Sequence, residues 1–128
     1  MLTPVARSQI LLFLYEAKRL ISKGNCQLVP RKKNLDALSN LGWEVNFLFE
    51  HICSEITPEH YVDGPKTDYN FPGEDVWIFG TNIEENEYYI KLKIRRFKDD
   101  ANDALFLCIS FHPVEHPLKY PFRGGDCT

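Results

Sequence analysis

The hydrophobic residues of this chain change their spacing about halfway along its 128 residues. Up to about residue 58 they recur every three or four positions, which is typical of amphipathic helices. From residue 75 to residue 112 they alternate with polar residues, which is typical of strands with one buried face. Because helices come first and strands last, the pattern predicts an α+β domain, with N-terminal helices packed on one face of a small antiparallel sheet of three C-terminal strands.

Three helices are expected in the first part of the chain, residues 1–58. The first spans about 4–23 and ends before a glycine. The second spans about 34–41, with Asn34 as its N-cap, because asparagine accepts a hydrogen bond from the first turn of a helix. The third lies within 43–56 and is closed by a Thr-Pro pair.

The second part is predicted to be a loop followed by strands. Glycine and proline are frequent in 59–74, which predicts a loop there. Strands are expected within 75–112, and their connections are too short for crossover helices, so neighbouring strands should run antiparallel. A proline-rich tail occupies 113–128. A chain of this length can form one hydrophobic core that is large enough to stabilise the fold, so residues 1–128 are predicted to be a single domain.

Several classes of protein are disfavoured by the composition. The apolar run that starts at Ile10 is far shorter than the ~18 residues of a membrane helix and lacks a cleavage site, so we expect a cytoplasmic protein with no membrane partner. The four cysteines are far apart and are expected to be free thiols. His112 and His116 have the spacing of helical zinc ligands, but Pro113 and Pro117 argue against a helix. No metal or cofactor is expected.

The charge is distributed unevenly, although its sum is only −3. Residues 1–34 hold seven basic residues and one acidic residue, and 91–98 hold five basic residues and no acid. Between them, 35–90 hold twelve acids and the single base Lys66. A local site for an anionic ligand is therefore compatible with an acidic chain, because binding depends on the field at the site.

The strand pattern separates the side chains into two faces, because successive residues of a strand point to opposite sides. One face of the middle strand carries apolar residues, and the other carries Tyr89, Lys91, Lys93 and Arg95. The last strand has an apolar face made of Leu105, Leu107, Ile109 and Phe111, and a second face made of Phe106, Cys108, Ser110 and His112. If the apolar faces coincide, Ser110 and His112 share the face of the cations.

A histidine, a phenol and several cations on one face suit metal-independent cleavage of RNA. Histidine can take up or release a proton near neutral pH, cations stabilise the charge on phosphate, and tyrosine can stack on a base. A solvated sheet face protected by lysines would show the same pattern. The predicted catalytic residues are His112, Tyr89 and Lys91. The predicted RNA-binding residues of this face are Lys93, Arg95 and Ser110.

Three segments resemble the MqsR-type toxins of bacterial toxin–antitoxin systems, which are mRNA endonucleases with a RelE-like α+β fold. These segments are Glu74-Asp75-Val76-Trp77, Tyr88 to Ile94, and Cys108-Ile109-Ser110-Phe111-His112. The resemblance places the family's functional glutamine at Glu74, its active-site tyrosine at Tyr89 and its final catalytic lysine at His112. A further family lysine has no counterpart before Lys66.

The resemblance implies a toxin that cleaves mRNA and is neutralised by a DNA-binding antitoxin protein, which is usually encoded by the adjacent gene. It adds Glu74 to the predicted RNA-binding residues. The alternative is a noncatalytic protein- or RNA-binding module that has kept the sheet and lost the chemistry, and the acidic Glu74 and the missing lysine favour that alternative.

Overall fold

The computed structural model describes residues 5–97 and 100–123. The helices are α1 (Arg7–Ser22), α2 (Lys32–Leu41) and α3 (Val45–Glu55), and a short 3-10 helix follows at Pro58–His60. The strands are β1 (Cys26–Leu28), β2 (Tyr61–Thr67), β3 (Asp75–Ile83), β4 (Asn86–Phe97) and β5 (Asp100–Pro113). The three helices and the α+β class therefore agree with the prediction.

The predicted sheet of three antiparallel strands is wrong, because the sheet has five strands in the order β1-β5-β4-β3-β2 and is mixed. The pairs β3–β4, β4–β5 and β2–β3 are antiparallel as expected of a meander, but β1 runs parallel to β5. A strand of three residues shows no period that sequence could reveal, and its partner lies about 80 residues further along the chain.

The loop predicted over 59–74 is also wrong in its first half. Gly64 and Pro65 suggested a loop, yet both lie within β2, the edge strand beside β3. The pairing of β2 with β3 shifts register on both sides of Asp63. An edge strand with such irregularities tolerates proline, because the missing N–H faces away from the ladder or falls in a bulge.

The core lies between the helices and one face of the sheet. From α1 it takes Ile10, Phe13, Leu14, Ala17 and Leu20, which are spaced three or four residues apart. From the sheet it takes alternate residues of β4, Tyr88, Ile90 and Leu92, together with Phe79 of β3. The helices therefore cover one face of the sheet, and the opposite face is left for the site. Among the described residues, no helix has the length and apolar character needed to span a membrane.

The faces of β5 are partly reversed from the prediction. Phe106 and Cys108 belong to the core, and Leu107 pairs with Lys93 on the opposite face. The described cysteines, Cys26, Cys53 and Cys108, are free thiols. Burial raises the pKa of the Cys108 thiol to about 12, which fits a small apolar core residue. The fourth cysteine lies outside the described residues.

Candidate functional site

A β-bulge in β5 directs Ser110 and His112 to the face of the sheet that the helices leave open. Lys91 pairs with Ser110, but the next residue, Leu92, pairs with Cys108, so Ile109 is an extra residue. One extra residue reverses the alternation. The side chain of Cys108 lies in the core. Without the extra residue, every second side chain after Cys108 would point the same way, so Ser110 and His112 would also point into the core. The predicted common face of Tyr89, Lys91, Ser110 and His112 is confirmed, because Tyr89 pairs with His112.

Asn34 binds the backbone of the bulge. Its side-chain amide donates hydrogen bonds to the carbonyls of Val29 and Ile109, both at 2.9 Å, and its carbonyl oxygen accepts one from the Phe111 N–H at 2.9 Å. The predicted role of Asn34 as an N-cap is wrong, because α2 begins earlier, with Arg31 as N-cap, and Asn34 is fully buried. The buried amide thus satisfies two backbone groups at the bulge and one in the segment that follows β1.

A cleft of about 410 Å³ lies in front of this bulge, and we call it the histidine cleft. Its sheet side is formed by Tyr89, Lys91, Ser110 and His112. Arg31 and Lys33 form one flank, and residues 114–118 of the tail form the other. The structure therefore brings the three predicted catalytic residues and Ser110 together in one cleft.

The imidazole of His112 is held in one orientation. Its Nδ1 lies 2.9 Å from the carbonyl oxygen of Pro113, and because a carbonyl only accepts, Nδ1 must carry the proton. The neutral ring then has its lone pair on Nε2. The ring also stacks on Tyr89, with the centroids 5.4 Å apart and the planes at 25°. Nε2 is thus the ring atom that can exchange a proton with a ligand.

Tyr89 supplies a phenol that keeps its proton at neutral pH. Burial raises the pKa of Tyr89, and this effect outweighs the nearby charges of Lys66 and Arg31, which act to lower it. A protonated phenol can donate a hydrogen bond to a phosphate oxygen or a leaving group. Lys66, which sequence placed in a loop, is close enough to act on this hydroxyl through its charge.

Arg31 is a residue of the cleft that the sequence-based prediction did not include. Its Nη1 donates a hydrogen bond to the hydroxyl of the buried Ser110 at 3.1 Å, and its charge also acts on Tyr89. The only sequence signal was its place in a basic run before α2. Its position beside β5 follows from the parallel pairing of β1, which sequence did not reveal.

The remaining predicted residues, Lys93, Arg95 and Glu74, lie on the same face but are paired with each other. Lys93 is 1% exposed, and its Nζ lies 2.6 Å from Asp68 Oδ2 and 2.6 Å from Glu74 Oε1. Arg95 binds both carboxylate oxygens of Glu74 at 3.1 to 3.2 Å. We call these four residues the charge cluster. A phosphate could reach Lys93 only by displacing a carboxylate.

The pKa values of the two acids in the charge cluster reflect this pairing. The hydrogen bond from Lys93 lowers the pKa of Asp68. Burial acts to raise the pKa of Glu74, but the hydrogen bonds and charges of Arg95 and Lys93 together lower it. Both carboxylates are therefore ionised at neutral pH and neutralise the two cations.

The proline-rich tail forms the outer wall of the histidine cleft. Glu87 of β4 accepts hydrogen bonds from the Leu118 N–H at 3.2 Å and from the Tyr120 hydroxyl at 2.6 Å. Both tail residues lie over Gly80, where an added methyl group would be 2.5 Å from the Leu118 side chain and closer still to the Tyr120 hydroxyl. Glycine at this position allows the tail to approach the sheet.

The described residues contain no group of three or more His, Cys, Asp or Glu side chains that could hold a metal ion. Comparison of the chain with known protein families, with curated proteins and with solved structures finds no match.

Proposed function

We propose that this protein is an endoribonuclease that cleaves mRNA in the histidine cleft without a metal ion. The observation that carries the proposal is the orientation of His112. Its Nδ1 is occupied by a backbone carbonyl and its ring is stacked on Tyr89, which leaves Nε2 for a ligand in a cleft that Lys91 and Arg31 also line.

The chemistry requires a base, an acid and stabilisation of the phosphate. His112 Nε2 removes the proton from the ribose 2′-OH, whose oxygen then attacks the adjacent phosphorus. Lys91 and Arg31 stabilise the negative charge that develops on the phosphate oxygens. The bond from phosphorus to the 5′ oxygen breaks, and that oxygen is protonated as it leaves, with the Tyr89 phenol as the neutral donor in the cleft. The products are a 2′,3′-cyclic phosphate and a free 5′-hydroxyl.

The biological setting follows from the resemblance to MqsR-type toxins. We infer that the protein arrests growth by cleaving mRNA in the bacterial cytoplasm and that an antitoxin protein from the adjacent gene neutralises it. Co-expression with that gene is expected to restore growth. Growth arrest that no neighbouring gene product relieves would contradict the antitoxin part of the proposal and leave the nuclease part to its own test.

The nuclease test uses the purified chain with a metal chelator and a labelled RNA oligonucleotide. Cleavage is expected to leave cyclic phosphate ends and to stop when the scissile nucleotide carries 2′-deoxyribose. His112→Ala is expected to lose cleavage by at least ~10²-fold, as is typical when a proton-transfer group is removed. Its free energy of unfolding should stay within about 1 to 2 kcal/mol of the wild type, because the side chain lies outside the core.

A second candidate function is a noncatalytic RNA- or protein-binding module. The pairing of Lys93 and Arg95 with Glu74 favours it, because two of the three cations on the predicted face are neutralised internally. RNA binding by the wild type without any cleavage would support this candidate. Cleavage by His112→Ala at the wild-type rate would also contradict the mechanism proposed above.

A further inference from the structure

A second cleft, of about 580 Å³, adjoins the histidine cleft on the same face of the sheet. It lies between β1 with the turn that follows it and the 68–71 segment, and Phe71 marks its outer side, so we call it the phenylalanine cleft. Leu107 and Ile109 provide an apolar floor. Gln27 and Asn70, which carry side-chain amides, also line it. A lining that combines apolar side chains, an aromatic ring and amides suits a flat ligand with polar edges.

Phe71 is fixed on one side and open on the other. Lys93 Nζ lies 4.2 Å from the centre of its ring, and the guanidinium of Arg95 lies 4.5 Å from it. Such cation–π contacts hold the ring in place. The side chain is nevertheless 48% exposed. The charge cluster therefore supports an aromatic surface that remains accessible to a ligand.

The two clefts share Arg31 and Lys91. Lys91 is also near the Asp68 carboxylate, since its charge helps to lower the pKa of that group. Two cations at the junction of two clefts suit a phosphate that links two nucleotides, one on each side. The nucleotide with the reacting 2′-OH would then lie beside His112, and the neighbouring nucleotide would reach the phenylalanine cleft.

We propose that the phenylalanine cleft binds the base of the nucleotide that follows the scissile phosphate, on the side away from the reacting 2′-OH. This base would then determine which RNA sequences are cut. This inference rests on the proposed nuclease function. The base stacks on Phe71, and the amides of Gln27 and Asn70 read its hydrogen-bonding edge, as amide side chains do when they pair with bases.

The experiment measures the affinity of an uncleavable RNA tetranucleotide with 2′-deoxyribose at the scissile position. Phe71→Leu keeps an apolar cover on Lys93 and removes the aromatic face, so it is expected to weaken binding about tenfold, the order of a lost base stack. Phe71→Trp should restore it. The matched control is Tyr69→Leu on the same segment, because Tyr69 is 93% exposed and does not line the cleft.

The second measurement is cleavage of RNA oligonucleotides that differ only in the base next to the scissile phosphate. Asn70→Ala and Gln27→Ala are expected to reduce the preference between those bases at least fivefold, while the best substrate is still cut. Unchanged preference in both variants, with unchanged affinity in Phe71→Leu, overturns the inference and leaves the proposed nuclease intact. Binding that depends on Phe71 without any cleavage supports the base site and overturns the nuclease.

Discussion

Lys91 and Lys93 lie two residues apart on the same face of β4, yet their surroundings differ completely. Lys93 is 1% exposed and contacts two carboxylates, whereas Lys91 lines both clefts and is only partly buried. The difference comes from the 68–74 segment, which returns over one half of the face and brings Asp68 and Glu74 to it. A row of like residues on a strand can therefore hold a buried ion pair at one position and a cation that lines an open cleft at the next.

The difference between Lys91 and Lys93 also divides the predicted site residues into two groups, those of the histidine cleft and those of the charge cluster. His112, Tyr89, Lys91 and Ser110 lie in the histidine cleft, and Lys93, Arg95 and Glu74 form the charge cluster with Asp68. The side chains of the first group line an open cleft. The side chains of the second group form ion pairs with one another, and its two cations contact the ring of Phe71.

The largest effect is expected for Lys93→Ala. It leaves two ionised carboxylates together in a partly buried place, and removal of one partner from a buried pair is strongly destabilising. We expect the free energy of unfolding to fall by about 3 kcal/mol, measured by urea denaturation. Lys91→Ala is the matched control, and it should change stability by less than about 0.5 kcal/mol. Equal effects of the two substitutions would contradict the division.

A somewhat smaller effect is expected for Asn34→Ala, which tests how the histidine cleft is built. The substitution leaves the Phe111 N–H and two carbonyls without their partner, and each unsatisfied buried group is costly. We expect a loss of about 2 kcal/mol and a parallel loss of RNA cleavage, because the bulge that directs His112 is no longer held. Asn40→Ala, at an exposed position of the same helix, should change neither quantity.

The stability of the charge cluster is expected to depend on pH. The pKa values of Asp68 and Glu74 are lower in the folded chain than in the unfolded one, so their contribution is fully present above the unfolded values, near pH 4. It is lost as the pH falls below that range through the folded values. Urea denaturation between about pH 3 and 7 should show this loss in the wild type and a smaller one in Lys93→Ala. The same pH dependence in both proteins would mean that other carboxylates cause it.

The helices and three of the strands were predictable because their residues repeat with a clear period. Two strands were not, for different physical reasons. β1 has only three residues and is paired through β5, and β2 contains Gly64 and Pro65, which are typical of loops. An edge strand can accommodate them because one side of its backbone has no partner.

The sequence predicted which side chains of the site share one face of the sheet. It did not predict which of them are paired with carboxylates and which line an open cleft. Alternation placed Tyr89, Lys91 and Lys93 together correctly, because it depends only on the geometry of one strand. It also placed Ser110 and His112 on the correct face, although it assigned the side chains in the first half of β5 to the wrong faces. The extra residue at Ile109 shifts the alternation by one, so the side chains after it point as predicted. The pairing of Lys93 with Asp68 depends on the course of a connecting segment, which periodicity does not describe.

The most direct test of the division is the salt dependence of RNA binding by Lys91→Ala and Lys93→Ala. The affinity of an uncleavable labelled RNA would be measured between about 50 and 200 mM salt, at a temperature where circular dichroism shows both variants folded. We predict that the slope of log affinity against log salt falls by about 0.7 in Lys91→Ala, which is one phosphate contact on single-stranded RNA, and is unchanged in Lys93→Ala. Equal falls in both variants, or no binding by the wild type, would contradict the account.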